Sequence, residues 1–316
     1  MAEALDNPNQ LTTPPGLSPT RLLLTILLPS LFLFPTANLR LAAAATPPPA
    51  SPKPSAPDLN TPPRTWAAAV AANEVRAIQH QGSYLRYYVH THDQKGTRVR
   101  DTIESKDGPV ARLILKDGKA LAQDEDQAER ERLNEILSSP SSFAKHTHND
   151  TTGKKLAIDL VQLMPDAMLF TYTPGQPQIA SPVSPQVVLD YAPNPQWSPP
   201  NTTAEGLTGL RGRMWIDPKT RQLLHMEGTI FQGVNFGWGM LAHIYPGGTL
   251  ALTQRNVAGD RWIFSSFVER VKVRALMVKS INVDAEIESS NIQVLPGPIS
   301  YQEAVRLLLA APSPAR

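Results

Sequence analysis

The chain from Gly209 to Phe267 reads GLRGRMWIDPKTRQLLHMEGTIFQGVNFGWGMLAHIYPGGTLALTQRNVAGDRWIFSSF. Short runs in it alternate apolar and polar residues, and turn signals interrupt them at near-regular spacing, the pattern of an antiparallel meander. In 211–217, Met214 and Ile216 point one way and Arg213 and Trp215 the other, because strand side chains alternate faces. Asp217-Pro218-Lys219-Thr220 fits a type I turn, with Asp bonding backbone amides and Pro pre-setting φ. The strand 221–231 follows, with Leu224, Met226 and Ile230 on one face. Gly233 and Gly237 predict a bulge or bend around Phe236 and Trp238. Pro246-Gly247-Gly248 ends that strand. The runs 249–257 and 261–268, joined by Ala258-Gly259-Asp260, continue the pattern; Trp262, Phe264 and Val268 share one face, Ile263 and Phe267 the other. Apolar residues on both faces of several strands predict a sheet covered on both sides or curved around something.

Outward from this stretch the strand signal persists. Residues 269–288 alternate again, through Val271, Val273 and Ala275 and then Ile281, Val283, Ala285 and Ile287, with a bulge or turn near Ser280. Pro296-Gly297-Pro298 breaks the chain. Ser300-Tyr301-Gln302-Glu303 is a capping box opening a short helix at 304–309, placed to pack on the sheet or to cover an opening. Upstream, 64–79 has helical spacing through Trp66, Val70, Asn73 and Ala77. Residues 83–92, 97–105 and 109–116 read as strands, with turns at 94–96, Asp107-Gly108 and Asp117-Gly118. Residues 123–137 read as a helix with an acid-loaded first turn and a thin apolar stripe of Ala128, Leu133, Ile136 and Leu137. A second helix, 154–164, carries a clean stripe that Pro165 stops. Residues 167–173 and 186–191 resume strand character. The fold class is mainly β with helices (α+β), a curved antiparallel sheet, over one domain at 64–310 with a tail at 311–316.

The 316 residues include no cysteine, which excludes disulfides, thiolate metal sites, a cysteine nucleophile and lipid attachment at an N-terminal Cys. A net charge of +2, from 30 basic and 28 acidic residues, argues against a nucleic-acid footprint. Residues 1–20 are polar and Pro-rich. Arg21 precedes the apolar run Leu22–Phe34, too short for a confident span and suited to a signal-peptide hydrophobic region; Ala42–Ala45 offers cleavage positions, though Arg40 intervenes. The alternative is an uncleaved anchor, with membrane association through Leu22–Phe34. Residues 1–45 are thus leader or anchor, and 46–63 a Pro-rich, semi-rigid spacer.

Candidate chemistry is sparse. His146-Thr147-His148-Asn149-Asp150 has the start of a metal-binding pattern, but Thr151 stands where a further His is needed and the segment reads as a polar loop between helices. His90 and His92 share a strand face and lack a third ligand on it, with Asp93 opposite. No nucleophile elbow, phosphate loop or dinucleotide fingerprint is present, and the glycine-rich 233–239 is filled with aromatics. Asp124, Glu125 and Asp126 lie on a solvated helix face. Trp215, Phe236, Trp238 and Trp262 remain. They pack a core, or some of them line a hydrophobic pocket.

From GRMWIDPKTRQLLHMEG through FGWGMLAHIYPGGTLALTQ, with KDGKALAQDEDQAERERL before it, the chain resembles exported bacterial outer-membrane lipoprotein-sorting-like proteins. The resemblance spans about 83–283 and its motifs are structural. It implies a half-open β-barrel, helices over an apolar concavity, and a periplasmic or cell-envelope location. The expectation is a non-enzymatic, exported protein binding a lipid or acyl chain, without cofactor, metal or nucleic acid. The alternatives are a metal-dependent hydrolase using the histidine pairs and an envelope interaction module.

Overall fold

The computed structural model describes residues 59–79, 82–183, 185–259, 261–275 and 279–313. The expected leader or anchor at 1–45 with Leu22–Phe34, most of the spacer at 46–63, and His80 lie outside the described residues, as do the last three residues of the tail.

Strands β1 (Leu85–Asp93), β2 (Gly96–Ile103), β3 (Val110–Lys116) and β4 (Lys119–Ala120) form a first meander. The second comprises β5 (Met168–Tyr172), β6 (Val187–Pro193), β7 (Leu210–Ile216) and β8 (Leu223–Ile230). They are followed by β9 (Val234–Phe236), β10 (Ala242–Ile244), β11 (Thr249–Ala258), β12 (Arg261–Ala275) and β13 (Lys279–Val294). All join one open antiparallel sheet in the order β4-β3-β2-β1-β13-β12-β11-β8-β7-β6-β5, with β10 extending beside the top of β12 and β9 beside β10. The long hairpin β12–β13 stitches the two meanders together. The predicted face switch near Ser280 is this hairpin's reversal, with Ala275 opposite Lys279.

Among the described residues four α-helices accompany the sheet: α1 (Pro63–Ile78), α2 (Gln123–Ser138), α3 (Pro140–Ala167) and α4 (Tyr301–Ala310). The capping box at Ser300 forms as expected, with Ser300 Oγ accepting from Glu303 N–H at 3.2 Å. Helix α3 corrects two expectations. The segment 146–150 is helical, not a polar loop, and Pro165 sits inside the last turn instead of stopping the helix. Ser139 caps the start and Pro140 occupies the first turn, where its missing N–H costs nothing. Phe143, His146, Asp150, Gly153, Ala157, Leu160 and Met164 then recur every three or four residues along one side. Three of those seven, His146, Asp150 and Gly153, are polar or glycine, so the periodicity is masked. At about 1.5 Å per residue, the 28 residues of α3 reach roughly 42 Å. Nine strand spacings from β3 to β5 amount to about 43 Å. Phe143 packs near Ile103 and Val110 at one edge, and the helix runs straight into β5 at the other. α3 therefore reaches across the sheet from one edge to the other.

Register decides which side chains meet α1 and α3. Met214 and Ile216 face the helices, with Leu189, Met226, Ile230, Phe236, Val271 and Val273, in the largest core cluster. Trp215 faces the other way. A bulge lets Ile216 pair Leu223 while Trp215 pairs His225. It turns Leu223 into the core and Leu224 out beside Trp215, so Leu224 does not share a face with Met226 as expected. The apolar residues on this second face, Val188, Trp215 and Leu224, are covered by Ile179 and Val183, and Trp215 Nε1 donates to Pro177 O at 2.8 Å. A folded-over Pro-rich segment thus accounts for the second apolar face locally.

Gly212 and Gly228 lie opposite each other on the helix-covered face. A Cβ on Gly212 would stand 2.0 Å from Glu227 O and 2.6 Å from Tyr191 Oη. The missing side chains let Tyr191 cross the strands and donate to Glu227 O at 2.9 Å.

Candidate ligand-binding face

The four aromatic residues singled out by sequence do not converge. Phe236 is sealed in the main core, Trp215 lies on the opposite face, and Trp262 packs part-buried beside it. The Trp238 side chain stands 90% exposed at the β9–β10 tip. Helical spacing sends His146 and His148 to different sides of α3. His146 is part-buried, with Arg132 Nη1 3.4 Å from its Nδ1, and His148 is exposed. His90 and His92 do share a face but bond separate hydroxyls, Ser290 Oγ at 2.9 Å and Thr97 Oγ1 at 3.0 Å. Among the described residues, no three His, Asp or Glu side chains are grouped to hold a metal.

Away from the helices, β5, β6, β7, β8, β11 and β12 form an open trough of about 900 Å³. Strand alternation lines it with Thr171, Asp190, Arg211, Arg213, Glu227, Thr229, Thr249 and Arg270. Arg213 pairs with Asp190 at 2.7 Å, and Arg270 with Asp284 at 3.3 Å. Leu169, Ala192, Ala251 and Val268 stand among these polar groups, so this face is open and mixed in character.

The helix-covered face differs. Following cross-strand partners at one level, a row reads Leu252, Phe267, Ile287, Thr91, Arg98. Four strand spacings make it roughly 19 Å long. Neighbouring rows add Leu250 and Val283, and from α3 Leu160 and Leu163 pack part-buried against the main core. All of these aliphatic side chains stay part-exposed, whereas Ile216, Leu189 and Ile244 at one end of the sheet and Ile103 and Leu133 at the other are sealed. Burying a large aliphatic side chain fully gains about 1.5–3 kcal/mol, so a strip left short of burial is unclaimed stabilisation.

Polar groups interrupt this strip at defined places. Glu269 follows Phe267 on β12, opposite Leu250 and Ala285, is 2% exposed, and its Oε2 has no hydrogen-bond partner. Burial pushes its carboxyl up to about 8. Glu74 of α1 is buried too, but Gln222 and Gln254 amides donate to it at 2.9 and 2.6 Å. Burial raises it to about 7 against those two bonds. Glu104 is held by Arg261 at 2.6 Å, though burial still lifts its carboxyl. At the far end of the row Arg98 pairs with Asp93 at 2.5 Å. Arg100, beside Val89 on the same face, makes no hydrogen bond or ion pair among the described residues. Burial and then the neighbouring Arg98 lower its affinity for the proton. Sequence reasoning missed both Glu269 and Arg100. The signal was present for Glu269: a carboxylate within the alternation Phe267, Val271, Val273.

No family model matches this sequence, and no curated protein matches it. Several solved structures are similar, two of which represent the group. One is a putative outer membrane lipoprotein-sorting protein domain from Vibrio parahaemolyticus, 11% identical, covering 77% of this chain and 98% of that one, with a TM-score of 0.33. The other is a DUF1329 family protein from Desulfovibrio piger ATCC 29098, 12% identical, covering 75% and 95% of the two chains, with a TM-score of 0.32. At such identity no side chain's role carries over.

Proposed function

We propose that this protein is an exported, non-enzymatic cell-envelope protein that binds a lipid or acyl chain between α3 and the middle of its sheet. The observation that carries this reading is the row Leu252, Phe267, Ile287 on the face of α3, whose two aliphatic ends stay part-exposed on either side of the buried Phe267, between two sealed cores. The apolar part of the row spans two strand spacings, about 10 Å, and the row continues through Thr91 to Arg98, with Arg100 two residues further along the same strand. An apolar tail along Leu252, Phe267 and Ile287 would bring an anionic head to the Arg100 guanidinium. Arg100 is part-buried and lies in the field of Glu129 and Asp93 without bonding either, and such a head would give it a direct charge-assisted partner. Export rests on the apolar run Leu22–Phe34 behind Arg21.

The test is binding of a fluorescent polyene fatty acid to the purified chain, alongside mass spectrometry of organic extracts. Stoichiometric binding is expected. Leu252→Trp, which fills the strip, should abolish it with the melting temperature retained. Arg100→Gln should weaken the free acid about tenfold, the loss of one charge-assisted contact of ~1.4 kcal/mol, and leave the methyl ester unaffected. A chain that carries no lipid and ignores the probe would refute the reading.

A further inference from the structure

The β9–β10 tip is built against the ordinary rules for a surface turn. Gly237, Trp238 and Gly239 all have positive φ, at 56°, 56° and 82°. Such backbone is open to glycine and disfavoured for a bulky aromatic. Trp238 accepts it without packing in return, since its ring is 90% exposed. Met240 and Leu241 beside it are 57% and 48% exposed. Three large apolar side chains within four residues thus face water.

The tip's base is held firmly. Glu205 accepts from Gly237 N–H at 3.0 Å, and Phe236 O accepts from Gly239 N–H at 3.2 Å and Leu241 N–H at 3.3 Å. Phe236 pairs with Ala242, and both are buried in the main core. The tip is presented by the core as a fixed projection.

Apart from Glu205, which is engaged by the Gly237 amide, the charges on the neighbouring strands are cationic. His243 of β10 lies opposite Arg274, and Ala275 opposite Lys279. Lys272 stands 5.1 Å from the Tyr245 ring. Residues 234–245, 271–275 and 279–283 contain these three cations and no carboxylate. The nearest acid along β13, Asp284, is paired with Arg270. A Trp amid small and apolar neighbours, backed by Lys and Arg, has the chemistry of a membrane–water interface: the indole takes the headgroup level, and the cations take anionic lipid heads.

We propose that the Trp238–Leu241 tip inserts into the surface of an anionic lipid bilayer. This is independent of the ligand strip, which lies on another part of the molecule, and of any tether through Leu22–Phe34.

The test uses the full chain with vesicles of phosphatidylcholine, alone or mixed with phosphatidylglycerol, brominated on the acyl chains near the headgroups. Bromine should quench the intrinsic fluorescence, at least about fivefold more effectively per lipid with phosphatidylglycerol present. Trp238→Phe should remove most of the quenching while sedimentation with vesicles persists, because Trp66 and Trp215 are buried and Trp197 and Trp262 part-buried. Combined Trp238→Ser, Met240→Ser and Leu241→Ser should weaken phosphatidylglycerol-dependent sedimentation about tenfold or more. A leader that binds vesicles by itself cannot mimic the loss of quenching in Trp238→Phe. Absent quenching, quenching that survives Trp238→Phe, or equal quenching without phosphatidylglycerol would overturn the proposal. A dimer that the triple variant converts to monomer, with no quenching by lipid, would assign the tip to a second copy of the chain instead.

Discussion

Glu269→Gln gives the sharpest test of the reading of the helix-covered face. Glutamine matches glutamate in shape and stays neutral at every pH, so the variant isolates the cost of the charge. The wild-type carboxyl lies near 4.5 in the unfolded chain and is pushed up to about 8 by burial alone. Below pH 4.5 both states hold the proton, and the two proteins should be about equally stable. As pH rises through 4.5 the unfolded wild type releases its proton while the folded protein keeps it, so unfolding becomes easier. The penalty grows by about 1.4 kcal/mol per pH unit and stops growing near pH 8, with an upper bound of roughly 5 kcal/mol. Urea unfolding of both proteins from pH 5 to pH 9 measures it. The stability of Glu269→Gln relative to wild type should climb across that window and level off above it. Glu74, raised to about 7, contributes a slope of the same sign in both proteins and cancels in the difference. A difference that stays flat from pH 5 to pH 9 would mean that Glu269 has water or a cation beside it, and the apolar strip around it would have to be redrawn.

Three further outcomes are expected. Gly212→Ala should destabilise by about 3 kcal/mol or more, because its Cβ meets a backbone carbonyl at 2.0 Å, whereas Gly118→Ala, with nothing within 4 Å, should cost only about 1 kcal/mol for its positive φ; urea midpoints compare them. Arg112, 1% exposed, donates to the carbonyls of Leu308 and Ala311 at the end of α4 and to Asp126 of α2. Arg112→Met should cost about 3–5 kcal/mol in chemical denaturation, and Arg112→Lys should not rescue it, since an ammonium cannot reproduce the planar fork. His146 is held down to about 4 by burial and then by Arg132. Its folded value is depressed, so its contribution is present above pH 6.5 and erodes as pH falls to 4, by roughly 3 kcal/mol at most. Melts of His146→Gln should accordingly be flatter than wild type over that interval.

The alternation of 209–267 was enough to place the meander, because each strand there carries its own turn chemistry and a one-residue slip would put a charged set into the core. It failed where register is decided between strands. Nothing local in Leu223-Leu224 says which leucine faces in; the bulge opposite Trp215 does. Helix α3 was half legible, since its first half buries Phe143 and Gly153 among polar residues and only the crossing of the sheet makes that stripe a contact surface. Apolar residues on both faces were read as a sheet bowed around something. At Trp215 the cause is a loop, and along Leu252–Ile287 it is the strip beneath α3. Composition cannot tell a ring packed under a loop from one that lines a site. This is why Trp215, Phe236, Trp238 and Trp262 looked alike in sequence and sit in three environments.

What distinguishes the functional candidates is that their irregularities are not repaid inside the fold. Buried charge is common in this molecule and usually compensated. Arg112 closes α4 and Arg261 holds Glu104, each through its terminal nitrogens while its Nε stays unpaired, and Arg86 meets Asp101 at 2.6 Å. Glu269 has an oxygen without a partner, Arg100 bonds no carboxylate although Glu129 and Asp93 act on it from nearby, and Trp238 bears a strained backbone with its ring in water. Local rules broken with compensation belong to architecture; those broken without it concentrate where something outside the chain completes the contact. Arg100 and Glu269 border one strip, so one amphiphile would answer both the missing partner and the unclaimed burial. Trp238 lies beyond the strip's reach and calls for a surface, not a solute. A bilayer meets that need and is also where an acyl chain is found.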